Sequence, residues 1–68
     1  MRIEEAIVYV LSSSNRGMRT EQIAEAINRQ QLHVRRDGQP VTGAQVYVVV
    51  MHNSGTFVKS DGLIRLLM

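Results

Sequence analysis

Cysteine and tryptophan are both absent from this 68-residue chain. A secreted protein of this size usually needs disulfide bonds to hold its small core, so the lack of cysteine favours a reducing compartment. Glu4 and Glu5 interrupt the basic start of any signal peptide. The longest apolar run, residues 46–51, is too short to cross a bilayer. We therefore expect a cytoplasmic protein without a membrane segment.

A single domain, residues 1–68, is all that this length accommodates. A domain of this size buries only about 60% of the surface of its unfolded chain, so its core is small. Self-association is a common way for such a chain to bury more apolar surface. Oligomerisation is therefore one expectation for this chain.

The charge balance is mildly basic, with eight basic residues against six acidic ones and a net charge of +2. Seven of the eight basic residues are arginines, which suit bidentate contacts with phosphate or carboxylate. The balance permits nucleic-acid binding but does not require it, because strong binders concentrate their charge in a patch.

Two amphipathic helices are predicted in the first half of the chain. Helical spacing of apolar residues predicts a first helix over residues 2–13, with Gly17 as its terminator. Thr20 is a good N-cap for a second helix that ends near Gln31. A short strand fits between the two helices. The polar loop that follows, residues 32–41, contains an Asp-Gly turn and has room for a small hairpin of its own.

The valine-rich segment 46–51 has strong β propensity, yet its flanks indicate a helix. Thr42 and Gln45 have the spacing of a capping box, in which each side chain bonds to the backbone of the other. Val41 and the valine four residues into the helix fit a hydrophobic staple. Because propensity is the weaker criterion, we predict a third helix over residues 42–54.

A β-hairpin is the clearest local pattern. Two β-prone runs, residues 56–60 and 63–67, flank an Asp-Gly pair that is typical of a type I′ turn. This turn pairs Ser60 with Leu63, Lys59 with Ile64, and Phe57 with Leu66. Three helices followed by a hairpin predict an α+β fold, the winged helix, in which the third helix is the recognition helix and the hairpin is the wing.

Several short stretches carry a family resemblance. They read MRTEQIA at 18–24, DGQPV at 37–41, QVY at 45–47 and TFV at 56–58. In this order and spacing they resemble the HARE-type helix-turn-helix, a winged-helix family of bacterial restriction-related proteins and eukaryotic chromatin regulators. The resemblance spans nearly the whole chain. It implies a winged-helix fold and a role in binding DNA, or in linking DNA or chromatin to other proteins.

Candidate contacts to double-stranded DNA are few. Arg35 and Arg36 on the loop, with Lys59 and Arg65 on the wing, suit phosphate contacts that hold register without reading sequence. Taken singly, each is more typical of a solvated surface charge. The third helix carries no Lys or Arg, so base readout would depend on amides such as that of Gln45. Direct base readout by this helix therefore ranks below a protein interface on it and below its burial under loop 32–41.

A protein interface on the third helix is the competing expectation. Its inward stripe is expected to comprise Val46, Val49, Val50 and Asn53. Tyr47, Val48 and Met51 then fall partly outside the core, and contiguous exposed apolar surface marks an interaction site. We expect a homodimer, or another protein bound there, unless loop 32–41 covers these side chains within the monomer.

No enzyme chemistry is expected. His33 and His52 lie far apart in sequence with no cysteine or carboxylate at ligand spacing, so a zinc site is not predicted. Ser12–Ser14 has the character of a helix end and lacks a histidine partner. The glycines form no phosphate loop. We predict no catalytic residues, no metal and no cofactor.

Overall fold

The computed structural model describes residues 1–67 and confirms the predicted α+β fold of three helices followed by a two-stranded antiparallel hairpin. The elements are α1 (Ile3–Ser14), α2 (Thr20–Gln30), α3 (Gly43–Met51), β1 (Phe57–Ser60) and β2 (Leu63–Leu66). This order is consistent with a winged-helix layout, in which the hairpin takes the place of the wing. The last residue of the predicted domain, Met68, lies outside the described residues.

One apolar core joins all five elements. Its buried members are Ala6, Ile7, Val10, Leu11, Ile23, Ala24, Ala26, Ile27, Val41, Val46, Val50, Phe57 and Ile64. Each helix contributes the stripe of residues that repeats every three or four positions, and the hairpin contributes one residue from each strand. The core therefore fixes which face of α3 and of the hairpin remains on the surface.

The predictions of Gly17 as the terminator of the first helix and Thr20 as the N-cap of the second are both wrong. Asn15, with a left-handed backbone (φ 52°), ends α1, and its N–H donates to the Leu11 carbonyl. Gly17 lies beyond the end of the helix, next to β2. Thr20 is the first residue of α2 and not its cap, because Arg19 occupies the cap position and its N–H donates to Gln22 Oε1 at 3.0 Å.

Helix α3 forms despite its valines, and it is shorter than predicted. Thr42 Oγ1 accepts a hydrogen bond from the Gln45 N–H at 3.1 Å, as expected of the cap. The other half of the predicted capping box is absent, since Gln45 Oε1 is buried without a hydrogen-bond partner. The helix ends at Met51 rather than at residue 54, and Asn53 Nδ2 bonds back to the Val49 carbonyl at 2.7 Å.

The hairpin has the predicted register, with Ser60 opposite Leu63, Lys59 opposite Ile64 and Phe57 opposite Leu66. Asp61 (φ 54°) and Gly62 (φ 77°) both have positive φ, as a type I′ turn requires. The short strand expected after α1 is a single bridge, in which the backbones of Met18 and Ile64 exchange hydrogen bonds of 3.0 and 2.7 Å.

Loop 32–41 contains a turn but forms no strand within the described residues, so it is not a second hairpin. The Gly38 N–H donates to the Arg35 carbonyl at 3.1 Å and closes the turn. Asn28 on α2 holds the end of the loop through two hydrogen bonds to the backbone of Val41. The loop therefore enters α3 from a fixed position.

Candidate functional site

The outward face of α3 is apolar and open to solvent. Tyr47 is 40% exposed, Val48 51% and Met51 53%. The exposure expected for these three side chains is therefore confirmed, and the alternative that loop 32–41 covers them is wrong. Met51 follows Val48 by three residues and Tyr47 by four, so it lies next to both on the helix surface. A contact made here would bury apolar surface and no charged group of α3 itself.

Lys59 flanks this face on the side of the wing. Its Nζ lies 5.0 Å from the centre of the Tyr47 ring, the geometry of a cation–π contact. Because Lys59 pairs with buried Ile64 in the hairpin, both side chains point to the face of the sheet that packs towards the helices. The register thus brings one predicted DNA contact next to one predicted interface residue.

Arg65 lies on the opposite face of the hairpin. It pairs with Val58, one residue out of step with the Lys59–Ile64 pair, and side chains alternate between faces along a strand. The two basic residues of the wing therefore do not form one patch. The predicted register already implies this separation, because it pairs Lys59 with Ile64, and the next residue, Arg65, points to the other face.

Arg35 bonds to two residues of its own loop. Its guanidinium lies 2.8 Å from Asp37 Oδ2 and donates to the Pro40 carbonyl at 3.3 Å. The Gln39 backbone N–H, and then the Arg35 guanidinium, lower the pKa of Asp37. Arg35 thus closes the loop, whereas the exposed Arg36 has no ion-pair partner among residues 1–67.

Gln45 faces the loop on the other flank of α3. It lines a shallow concavity together with Arg35, Arg36 and Asp37. The structure therefore brings three of the predicted nucleic-acid contacts, Arg35, Arg36 and Gln45, to one place. Lys59 lies on the far flank of α3, and Arg65 lies on a different surface.

Arg16 is a basic residue that the sequence pattern did not single out. It shares a second concavity with Arg65, at the C-terminal end of α1. The pairing of Met18 with Ile64 places Gly17 opposite Arg65 and brings Arg16 close to β2. The predicted short strand at Met18 would have revealed this pair of arginines only if it had also been paired with β2.

Residues 1–67 were also compared with the requirements of a metal site and of a membrane-spanning helix. No group of three histidine, cysteine, aspartate or glutamate side chains in this part of the chain is placed to hold a metal ion. No helix in it is long and apolar enough to cross a membrane.

No protein-family model matches this chain, and neither a curated protein nor a solved structure matches it at the significance required of a relative. Membership of the HARE-type family therefore stays a prediction.

Proposed function

We propose that this chain is a non-catalytic, cytoplasmic protein-interaction module that self-associates through α3. The observation that carries the proposal is the contiguous exposure of Tyr47, Val48 and Met51 on a helix without any Lys, Arg, Asp or Glu. Two copies can pack this face against itself without burying a charged group of α3, while Lys59 stays at the edge of the contact. A two-fold axis near Val48 would bring Tyr47 of each copy towards Met51 of the other.

The expected affinity is modest. Each of these side chains is about half exposed, so burying the remainder contributes about 1 kcal/mol. The six side chains of a symmetric pair then supply about 6 kcal/mol, equivalent to a dissociation constant of tens of micromolar. Contacts of the flanking residues must offset the entropy lost on association. The dimer should therefore form at high micromolar concentration.

Sedimentation velocity over a concentration series tests this proposal. Wild type should shift from monomer to dimer, and Val48→Lys should stay monomeric at every concentration. Val34→Lys is the matched control, because Val34 is 73% exposed and lies on loop 32–41 rather than on α3; it should dimerise as wild type does. A wild type that remains monomeric at millimolar concentration contradicts the proposal.

A second candidate function is weak binding of double-stranded DNA through phosphate contacts. It is favoured by the positions of Arg36 and Lys59, which flank α3 on its two sides. A helix in the major groove has a phosphate backbone on either side, so flanking cations suit this mode of binding. The resemblance to the HARE-type family points to the same partner.

A salt-dependent titration separates the two functions. Phosphate contacts release counterions, so duplex affinity should fall steeply between low and moderate salt. Replacing Arg36 and Lys59 together by alanine should weaken duplex binding at the α3 face, whereas Arg29→Ala, which removes an exposed arginine of α2, should not. Val48→Lys should strengthen duplex binding while it prevents dimerisation. If a duplex perturbs neither the loop, α3 nor the wing at low salt, DNA binding is excluded.

A further inference from the structure

We infer that Arg16 and Arg65 form a binding site for a phosphoryl oxyanion on the outer face of the hairpin, separate from the α3 face. The site is a concavity at the C-terminal end of α1. Its lining comprises Leu11, Ser12, Asn15, Arg16, Arg65 and Leu66. The inference does not rest on self-association through α3, because none of the lining residues belongs to that helix.

Both arginines line the concavity, and none of residues 1–67 that line it is acidic. Neither Arg16 nor Arg65 is within ion-pair distance of an acidic side chain among residues 1–67, whereas Arg2, Arg29 and Arg35 each have such a partner. Two like charges held near each other at the surface favour an anion between them.

Gly17 positions the Arg65 side chain. A Cβ atom at Gly17 would lie 3.2 Å from both Cγ and Cζ of Arg65 and 3.0 Å from the Leu63 Cβ. Arg65 therefore extends flat across the glycine, from its aliphatic stem to its guanidinium, which directs the guanidinium towards the end of α1. Gly17 does not have a positive φ, so its backbone conformation does not require glycine. The close approach of Arg65 does require it.

The groups beside the arginines suit an oxyanion. Ser12 adds a hydroxyl donor and Asn15 an amide donor at the rim of the concavity. Guanidinium groups bind phosphoryl oxygens in pairs of parallel hydrogen bonds, and two of them match a group that carries two negative charges. Inorganic phosphate and pyrophosphate present these charges in one small ion, whereas a nucleic-acid backbone presents them as two successive phosphodiesters with one negative charge each.

The end of α1 offers a competing explanation for the arginines. The carbonyls of a helix C-terminus carry roughly half a negative charge, and no basic residue lies in the last turn of α1. Two full positive charges exceed that partial charge, so the site keeps a net positive potential. A stability measurement separates this helix-end role from anion binding.

Calorimetry with inorganic pyrophosphate, and amide chemical shifts with pyrophosphate or a 12-base-pair duplex (about one helical turn), test the site. Pyrophosphate should shift the amides of residues 11–17 and 64–66. Arg16→Ala and Arg65→Ala should each weaken its binding at least tenfold, and Gly17→Ala should also weaken it without changing the charge. Arg2→Ala and Arg29→Ala are the controls and should bind as wild type does.

The two ligands distinguish the source of the phosphoryl group. Shifts at these amides with both ligands, or with the duplex alone, assign the site to backbone phosphates; shifts with pyrophosphate alone assign it to a small phosphorylated molecule. Shifts with neither ligand overturn the inference. It is also overturned if Arg16→Ala and Arg65→Ala lower the melting temperature but leave pyrophosphate binding unchanged.

Discussion

Asn28 holds Val41 by both backbone groups of that residue. Asn28 Nδ2 donates to the Val41 carbonyl, and the Val41 N–H donates to Asn28 Oδ1, each at 2.9 Å. The pair spans 13 positions of sequence and joins α2 to the residue just before the α3 cap. Because Val41 is itself buried, its backbone groups have little access to water. This contact therefore fixes where α3 begins relative to α2.

Asn28→Ala should destabilise the domain by about 1–3 kcal/mol, because two partly buried backbone groups lose their partners. Urea unfolding followed by circular dichroism measures the change. Gln30→Ala, an exposed substitution on the same helix, is the control and should alter the free energy of unfolding by less than about 0.5 kcal/mol. Equal stability of the two variants would show that the Asn28 bonds are not needed.

Gly62 in the wing turn and Gly55 before β1 form a matched pair of glycines. Gly62 has φ of +77°, whereas Gly55 has no positive φ, and neither has a neighbour that a Cβ would meet. Gly62→Ala should cost about 1 kcal/mol, because a side chain is strained in the left-handed region. Gly55→Ala should be neutral or slightly stabilising. Thermal unfolding compares the two variants, and a larger loss at Gly55 would contradict the type I′ turn.

Substitution by lysine should be tolerated at one valine of α3 and should unfold the chain at another. Val48 is 51% exposed and Val46 is 0% exposed. Val48→Lys should keep the helical circular dichroism spectrum of the wild type. Val46→Lys should unfold the chain, because an unpaired buried charge costs several kcal/mol and a chain of this length is stable by roughly 3–10 kcal/mol. A folded Val46→Lys variant would mean that α3 presents a different face to the core.

Loop closure should depend on acid pH. The pKa of Asp37 is lowered in the folded protein by the Gln39 N–H and by Arg35. A carboxyl whose folded-state pKa is depressed contributes stability above its unfolded value, about 3.9, and loses it as pH falls through the lower folded value. The contacts of Asp37 with Gln39 and Arg35 should therefore be intact at neutral pH and should weaken as pH falls through the lowered pKa of Asp37.

Carbon-detected NMR titration of Asp37 measures this pKa directly. Arg35→Ala should raise it, yet leave it below the ordinary value, because the Gln39 N–H remains the larger cause. Arg36→Ala is the control and should leave it unchanged, since Arg36 has no ion pair with Asp37. An unchanged Asp37 pKa in Arg35→Ala would show that the ion pair of the loop does not form in solution.

The sequence by itself determined those features that depend on near neighbours along the chain. Hydrophobic periodicity located the first two helices, and the Asp-Gly turn set the hairpin register. The Thr42 cap and the buried Val41 and Val46 outweighed the β propensity of α3. Because a helix can turn only one stripe inward, the exposure of Tyr47, Val48 and Met51 also followed from the sequence.

Only the tertiary structure decided which side chains meet across the fold. Asn28 bonds to the Val41 backbone, Lys59 lies over the Tyr47 ring, and Arg16 shares a concavity with Arg65. The bridge between Met18 and Ile64 produces the last of these, and it forms only when the core brings α1 and the hairpin together. Local patterns fix elements because their contacts are close in sequence, whereas surface charges are placed by long-range packing.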